Sequence, residues 1–132
     1  KENNQRLLLN YGHTFGQALE GYFGINQKFL THGEAVSLGI IAASKLADQK
    51  YNLNTVKTNK YLLKNFKLPT NFSDLKIKKK IKINKLIKNL KNDKKRTIHG
   101  IRFIISKKKG TGQIIYEKNK DLIKKSFKTI LS

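Results

Sequence analysis

Cysteine, methionine and tryptophan are missing from all 132 positions, and proline occurs once, at Pro69. Without cysteine there are no disulfides, no thiolate zinc sites and no thiol nucleophile, and the absence fits a reducing compartment. Lys1 stands where a translated chain would carry Met. The chain therefore reads as one domain-sized piece of a longer protein whose N-terminal part is missing. No segment approaches the roughly 18 apolar residues of a membrane helix, and nothing resembles a signal peptide. Acid is scarce too: eight Asp and Glu against 29 Lys and Arg give a net charge of +21. Only Arg6, Arg96 and Arg102 are arginines, although guanidinium is the group suited to bidentate phosphate and base recognition. Lysine shares the excess with Asn and Ile, all with A/T-rich codons, so solvated lysine faces are favoured over a nucleic-acid footprint. The field still attracts small phosphorylated anions.

The patterning is mostly helical. Leu8, Tyr11, Phe15, Ala18, Leu19 and Tyr22 recur at spacings of three and four, predicting a first helix over 2–23. A second helix is expected over about 33–50, and its small residues suggest close packing on both sides. Asn54 is a candidate cap for a third helix running through Phe66, stopped by "KLPT" because the residue before Pro69 is pushed out of the α region. Ile83, Leu86, Ile87 and Leu90 predict a helix at about 82–92, and Leu122, Ile123, Phe127, Ile130 and Leu131 a final one. "IRFIIS" and "GQIIYE" flank "KKKGTG", the pattern of a β-hairpin with a glycine-containing turn. The expected fold is a mainly α, multi-helix domain over 1–132 with one small β-hairpin.

The first helix has a second face. Glu2, Arg6, Asn10, His13, Gln17 and Glu20 form one polar stripe at helical spacing, and no lysine lies between Glu2 and Glu20. In so lysine-rich a chain, that gap suggests a stripe facing a pocket rather than bulk water. Gly12 and Gly16 flank His13; a missing Cβ admits either a ligand or a packed backbone, and both remain open at this point. In "THGEAV", His32 opens the second helix ahead of Glu34. His13 and His32 could share a metal with a carboxylate as third ligand. They could equally be a hydrogen-bonded core His and a capping His. Glu34 could simply complement the helix dipole.

Taken together, "RLLLNYGHTFGQALE", "HGEAVSLGIIAA", "LPT" and "NDKK" closely resemble the C-terminal domain of the 3-dehydroquinate synthase family, in order and over essentially the whole chain. The resemblance implies a cytoplasmic, typically homodimeric shikimate-pathway enzyme. Such enzymes convert the heptulosonate phosphate DAHP to 3-dehydroquinate plus phosphate. A bound NAD transiently oxidises the substrate, and a divalent metal, Zn2+ or Co2+, acts as Lewis acid. Phosphate then leaves by β-elimination before ring opening and an aldol-type closure. An N-terminal domain, outside this chain, would hold NAD.

By the same resemblance His13 and His32 match the metal-binding histidines, the third ligand being a glutamate of the N-terminal domain. Arg6 and Asn10 match substrate-contacting positions, and Lys94 and Lys95 the "DKK" motif whose lysine reaches the phosphate. Glu2 matches an acidic residue of the proton-relay region. Gln17 stands where the family usually has a second histidine; it can hydrogen-bond but cannot transfer a proton near neutral pH, which puts full-rate catalysis in question. The competing readings are a related sugar-phosphate cyclase, of the 2-deoxy-scyllo-inosose or valiolone type, and a non-catalytic basic module or degenerate remnant.

Overall fold

The structure, a computed structural model, describes residues 11–23, 30–75, 80–91, 96–107 and 112–131. Its elements are α1 (His13–Phe23), α2 (His32–Tyr51), α3 (Thr55–Asn65), a 3-10 turn (Phe72–Asp74), α4 (Ile83–Lys91), β1 (Arg96–Thr97), β2 (Gly100–Ile105), β3 (Gln113–Glu117) and α5 (Lys120–Leu131). The mainly helical domain with one small hairpin is found. The hairpin pairs β2 and β3 antiparallel, from Ile101 opposite Glu117 to Ile105 opposite Gln113. β1 adds a third, two-residue strand beside β2, too short to show alternation in a sequence.

α2 is the axis of the domain, with α1, α3, α5 and β2 packed around it. Its buried residues include Ala35, Ser37, Gly39, Ala42, Ala43, Ser44 and Ala47, whose short side chains let neighbouring backbones come close on several sides. Phe15 joins three elements: its ring stacks on Phe103 of β2 at 4.7 Å and meets Phe127 of α5 edge-on at 5.0 Å. Leu86, Ile87 and Leu90 bury the inner stripe of α4, and Ile123, Phe127 and Ile130 that of α5, as their spacing predicts.

Three local expectations are corrected. A single helix over 2–23 does not hold: Gly12 has φ 85°, outside the helical region, and the helix begins at His13. The reason is the close approach of α2. A Cβ on Gly12 would lie 2.6 Å from the Ile40 nitrogen, and one on Gly39 would lie 2.0 Å from the Gly12 oxygen. The glycines beside His13 therefore serve helix–helix contact; residues 1–10 lie outside the described residues. Secondly, Asn54 makes no side-chain cap on α3. Asp48 does so from the preceding helix, accepting from the Thr55 and Val56 amides at 2.8 and 2.9 Å and from the Thr55 hydroxyl at 2.6 Å. Thirdly, α3 ends before the proline acts. Lys67 is left-handed at φ 60°, and the Lys67 and Leu68 amides donate to the Lys64 and Leu63 carbonyls, a Schellman ending. The Ser37 hydroxyl then donates to the Pro69 carbonyl at 2.6 Å, tying the loop to α2.

Candidate metal and substrate site

Two helix starts build the site. α1 begins at His13 immediately after the Gly12 turn, the Gly16 amide donating back to the Gly12 carbonyl at 2.8 Å. α2 begins at His32, immediately after Thr31. Thr31 and Glu34 form a capping box: the Glu34 amide donates to the Thr31 hydroxyl at 3.1 Å, and the Thr31 amide to Glu34 Oε1 at 2.9 Å. Glu34 is thus committed to holding the helix end. His13 accordingly lies at the first position of its helix rather than mid-helix, as a continuous 2–23 helix would have put it.

α1 runs antiparallel against α2, with Gly12 beside Gly39 and Gly16 beside Ala35. The two imidazoles are brought together, their ring centres 5.7 Å apart and their planes inclined by 28°. Imidazoles sharing one tetrahedral ion at about 2.1 Å place their ring centres about 5 Å apart, close to the separation of this pair. The His32 side chain is 65% exposed, which leaves a ligand free access. Its Nδ1 lies 3.1 Å from both carboxylate oxygens of Glu20, leaving Nε2 as the remaining nitrogen. Among the described residues no group of three His, Cys, Asp or Glu could hold a metal ion. The residues fit a divalent metal as two of its ligands, with a third from elsewhere.

Of the other predicted site residues, Gln17 is exposed on α1, one turn beyond His13 on the same face. Glu2, Arg6, Asn10, Lys94 and Lys95 lie outside the described residues. Glu20 was legible only as a member of the polar stripe. Its place seven positions beyond His13, two turns along one face, is the signal that could have paired it with the site. A dinucleotide fits the described residues poorly. The junction between β3 and α5, Lys118–Asn119, carries no glycine to let a pyrophosphate approach a helix start.

Behind the site, the Tyr11 hydroxyl lies 2.8 Å from Ser44 Oγ, which also accepts from Asn59 Nδ2 at 2.6 Å and donates to the Ile40 carbonyl at 2.7 Å. Burial pushes the Tyr11 phenol above its ordinary 10.0; its Ser44 hydrogen bond opposes this, and the Asp48 charge adds to it.

This arrangement of helices is shared with a protein of known structure. A crystal structure of 2-deoxy-scyllo-inosose synthase complexed with carbaglucose-6-phosphate, NAD+ and Co2+ matches with a TM-score of 0.71, over 98% of this chain and 36% of that one, at 24% identity. That likeness establishes the fold. Family membership comes from sequence: residues 1–96 match the family described as 3-dehydroquinate synthase C-terminal, and the chain belongs to it. Relatives include the 3-dehydroquinate synthase of Listeria monocytogenes serotype 4b (strain CLIP80459), 34% identical over 131 residues, covering 98% of this chain and 34% of that protein. The 3-dehydroquinate synthase of Thermosynechococcus vestitus is 35% identical over 128 residues, covering 96% of this chain and 33% of that protein. The chain thus spans about a third of the length of the curated relatives it matches.

Proposed function

We propose that these 132 residues are the C-terminal, metal- and substrate-binding domain of a 3-dehydroquinate synthase, acting with an N-terminal NAD-binding domain on DAHP and releasing phosphate. The observation that carries this reading is the meeting of His13 and His32 at the starts of two antiparallel helices. His13 and His32 would hold a zinc-type ion, with a glutamate of the N-terminal domain as third ligand. When bound, that ion supplies Lewis-acid polarisation of a substrate oxygen. NAD would be held by the N-terminal domain.

The chain's own residues bind and orient. Arg6 and Asn10 suit a carboxylate, a phosphate oxygen or a hydroxyl, and Lys94 or Lys95 suits the phosphate. The field of a +21 chain draws such a substrate in. Gln17 can orient a substrate hydroxyl by hydrogen bonding, whereas proton transfer in that region would fall to Glu2 or to substrate and water. We assign the assembled enzyme to the cytoplasm and to a homodimer, on family likeness.

The test is to join this chain behind the two thirds of the Listeria relative that it does not match, and to assay DAHP and glucose 6-phosphate. Phosphate release from DAHP, abolished by H13A and by H32A, is expected. Turnover of glucose 6-phosphate alone would make it another sugar-phosphate cyclase. No turnover of either, with unchanged zinc binding in H13A, would leave a non-catalytic module.

A further inference from the structure

Glu20 and His32 are twelve residues apart, on different helices, yet the Glu20 carboxylate sits over the His32 ring edge with Oε1 and Oε2 both 3.1 Å from Nδ1. A carboxylate can only accept here, so Nδ1 must carry the proton. In the neutral ring this leaves the lone pair on Nε2. This hydrogen bond favours one tautomer and one rotation of the imidazole before any ligand arrives. An exposed ring otherwise samples both tautomers and several rotations, and loses that freedom on binding.

Three further features make this a built arrangement. Glu20 is anchored on α1, directly after the buried Leu19 and three residues before the buried Phe23. His32 is held at the start of α2 by the Thr31–Glu34 capping box. The alternative carboxylate nearby, Glu34, is occupied with the Thr31 amide and is not drawn into the pair. In a chain with only eight acidic residues, one of them being directed at the outer nitrogen of a candidate ligand is specific.

We infer that Glu20 is a positioning residue: it holds His32 as the Nδ1–H tautomer, with Nε2 presented as a ready ligand for a divalent metal. This rests on the reading of His13 and His32 as a metal pair. Outer carboxylates of this kind are worth about 10- to 100-fold in metal affinity, and the same loss is expected for Glu20→Ala. Glu20→Gln keeps an acceptor oxygen and is expected to recover the tautomer and part of the affinity.

The experiment is nitrogen-15 NMR of the histidine-labelled chain without metal, followed by zinc titration of wild type, E20A, E20Q and H32A. Expected are Nδ1 protonation of His32 in wild type and E20Q, its loss in E20A, and zinc affinity in the order wild type, E20Q, E20A, H32A. Equal zinc affinity of wild type and E20A, or a wild-type His32 protonated at Nε2, overturns the role of Glu20 while leaving the metal pair standing. A correct tautomer in a wild type that binds no zinc, with H32A indistinguishable from it, overturns the metal pair instead, and with it the purpose of the positioning. An E20A chain that fails to fold shifts the comparison to E20Q against wild type, where an unchanged zinc affinity overturns the proposal.

Discussion

Gly39 lies so close to Gly12 that a Cβ placed on it would fall 2.0 Å from the Gly12 carbonyl oxygen and 2.8 Å from the Gly16 nitrogen. Both obstacles are backbone, so nothing flexible can yield. Gly39→Ala is therefore expected to cost about 3 kcal/mol or more, by forcing α1 away from α2. Gly33, with nothing within 4 Å of its would-be Cβ, is the control. Its alanine variant should be neutral or stabilised by up to about 1 kcal/mol. Urea unfolding of both variants measures the difference, and a stable Gly39→Ala would refute the contact.

The cap on α3 offers a second comparison. Asp48→Ala removes the acceptor for two helix-start amides and the Thr55 hydroxyl, and should destabilise by about 1–2 kcal/mol. Asn54→Ala should change stability by less than about 0.5 kcal/mol, because Asn54 makes no side-chain cap. Denaturant midpoints of the two variants would be reversed if the nearest capping residue in sequence were the one that acts.

The metal pair predicts a coupled response to zinc. At a zinc concentration about 100 times Kd, wild type should gain about 2.7 kcal/mol of stability. H13A and H32A should each lose most of that gain, with little further loss in the double variant, since two ligands of one ion act as a unit. Thermal melts with and without zinc read this directly; a full zinc gain in either single variant would count against it.

Gln17 bears on rate rather than on folding. It is exposed on α1, so Gln17→His should leave stability within about 0.5 kcal/mol. In the fused, two-domain enzyme it should raise kcat by up to about 100-fold, the low end of what a positioned proton-transfer group supplies. A lowered kcat would mean that the glutamine is itself the better group in this site.

Tyr11 sets an alkaline limit. Its phenol is held above 10.0 by burial, so the unfolded chain ionises first as pH rises. Below pH about 10 both states are protonated and the contribution is fully present; above it, unfolding gains and stability falls. The stability advantage of wild type over Tyr11→Phe should be flat up to pH about 9 and shrink beyond pH about 10. Paired unfolding curves across that range check it, and an advantage that grew with pH would have the wrong sign.

Periodicity made much of this protein legible. The buried stripes of α4 and α5, through Leu86, Ile87 and Leu90 and through Ile123, Phe127 and Ile130, follow from local spacing, because a helix presents every third or fourth residue to one side whatever it packs against. The pairing of β2 with β3 was readable from two apolar runs flanking a glycine-containing segment, and His13 and His32 were visible as residue types in a recurring pattern. What lay beyond the sequence are the relationships across space. Gly12 leaves the helical region only because α2 arrives there, and Asp48 caps a helix that begins seven residues later only because the chain turns back through a left-handed Asn52. Glu20 meets His32 only once α1 and α2 lie antiparallel. Local propensity determines which segments are helices; close packing between them decides where a helix breaks and which polar groups meet, since those depend on atoms the neighbouring sequence does not contain.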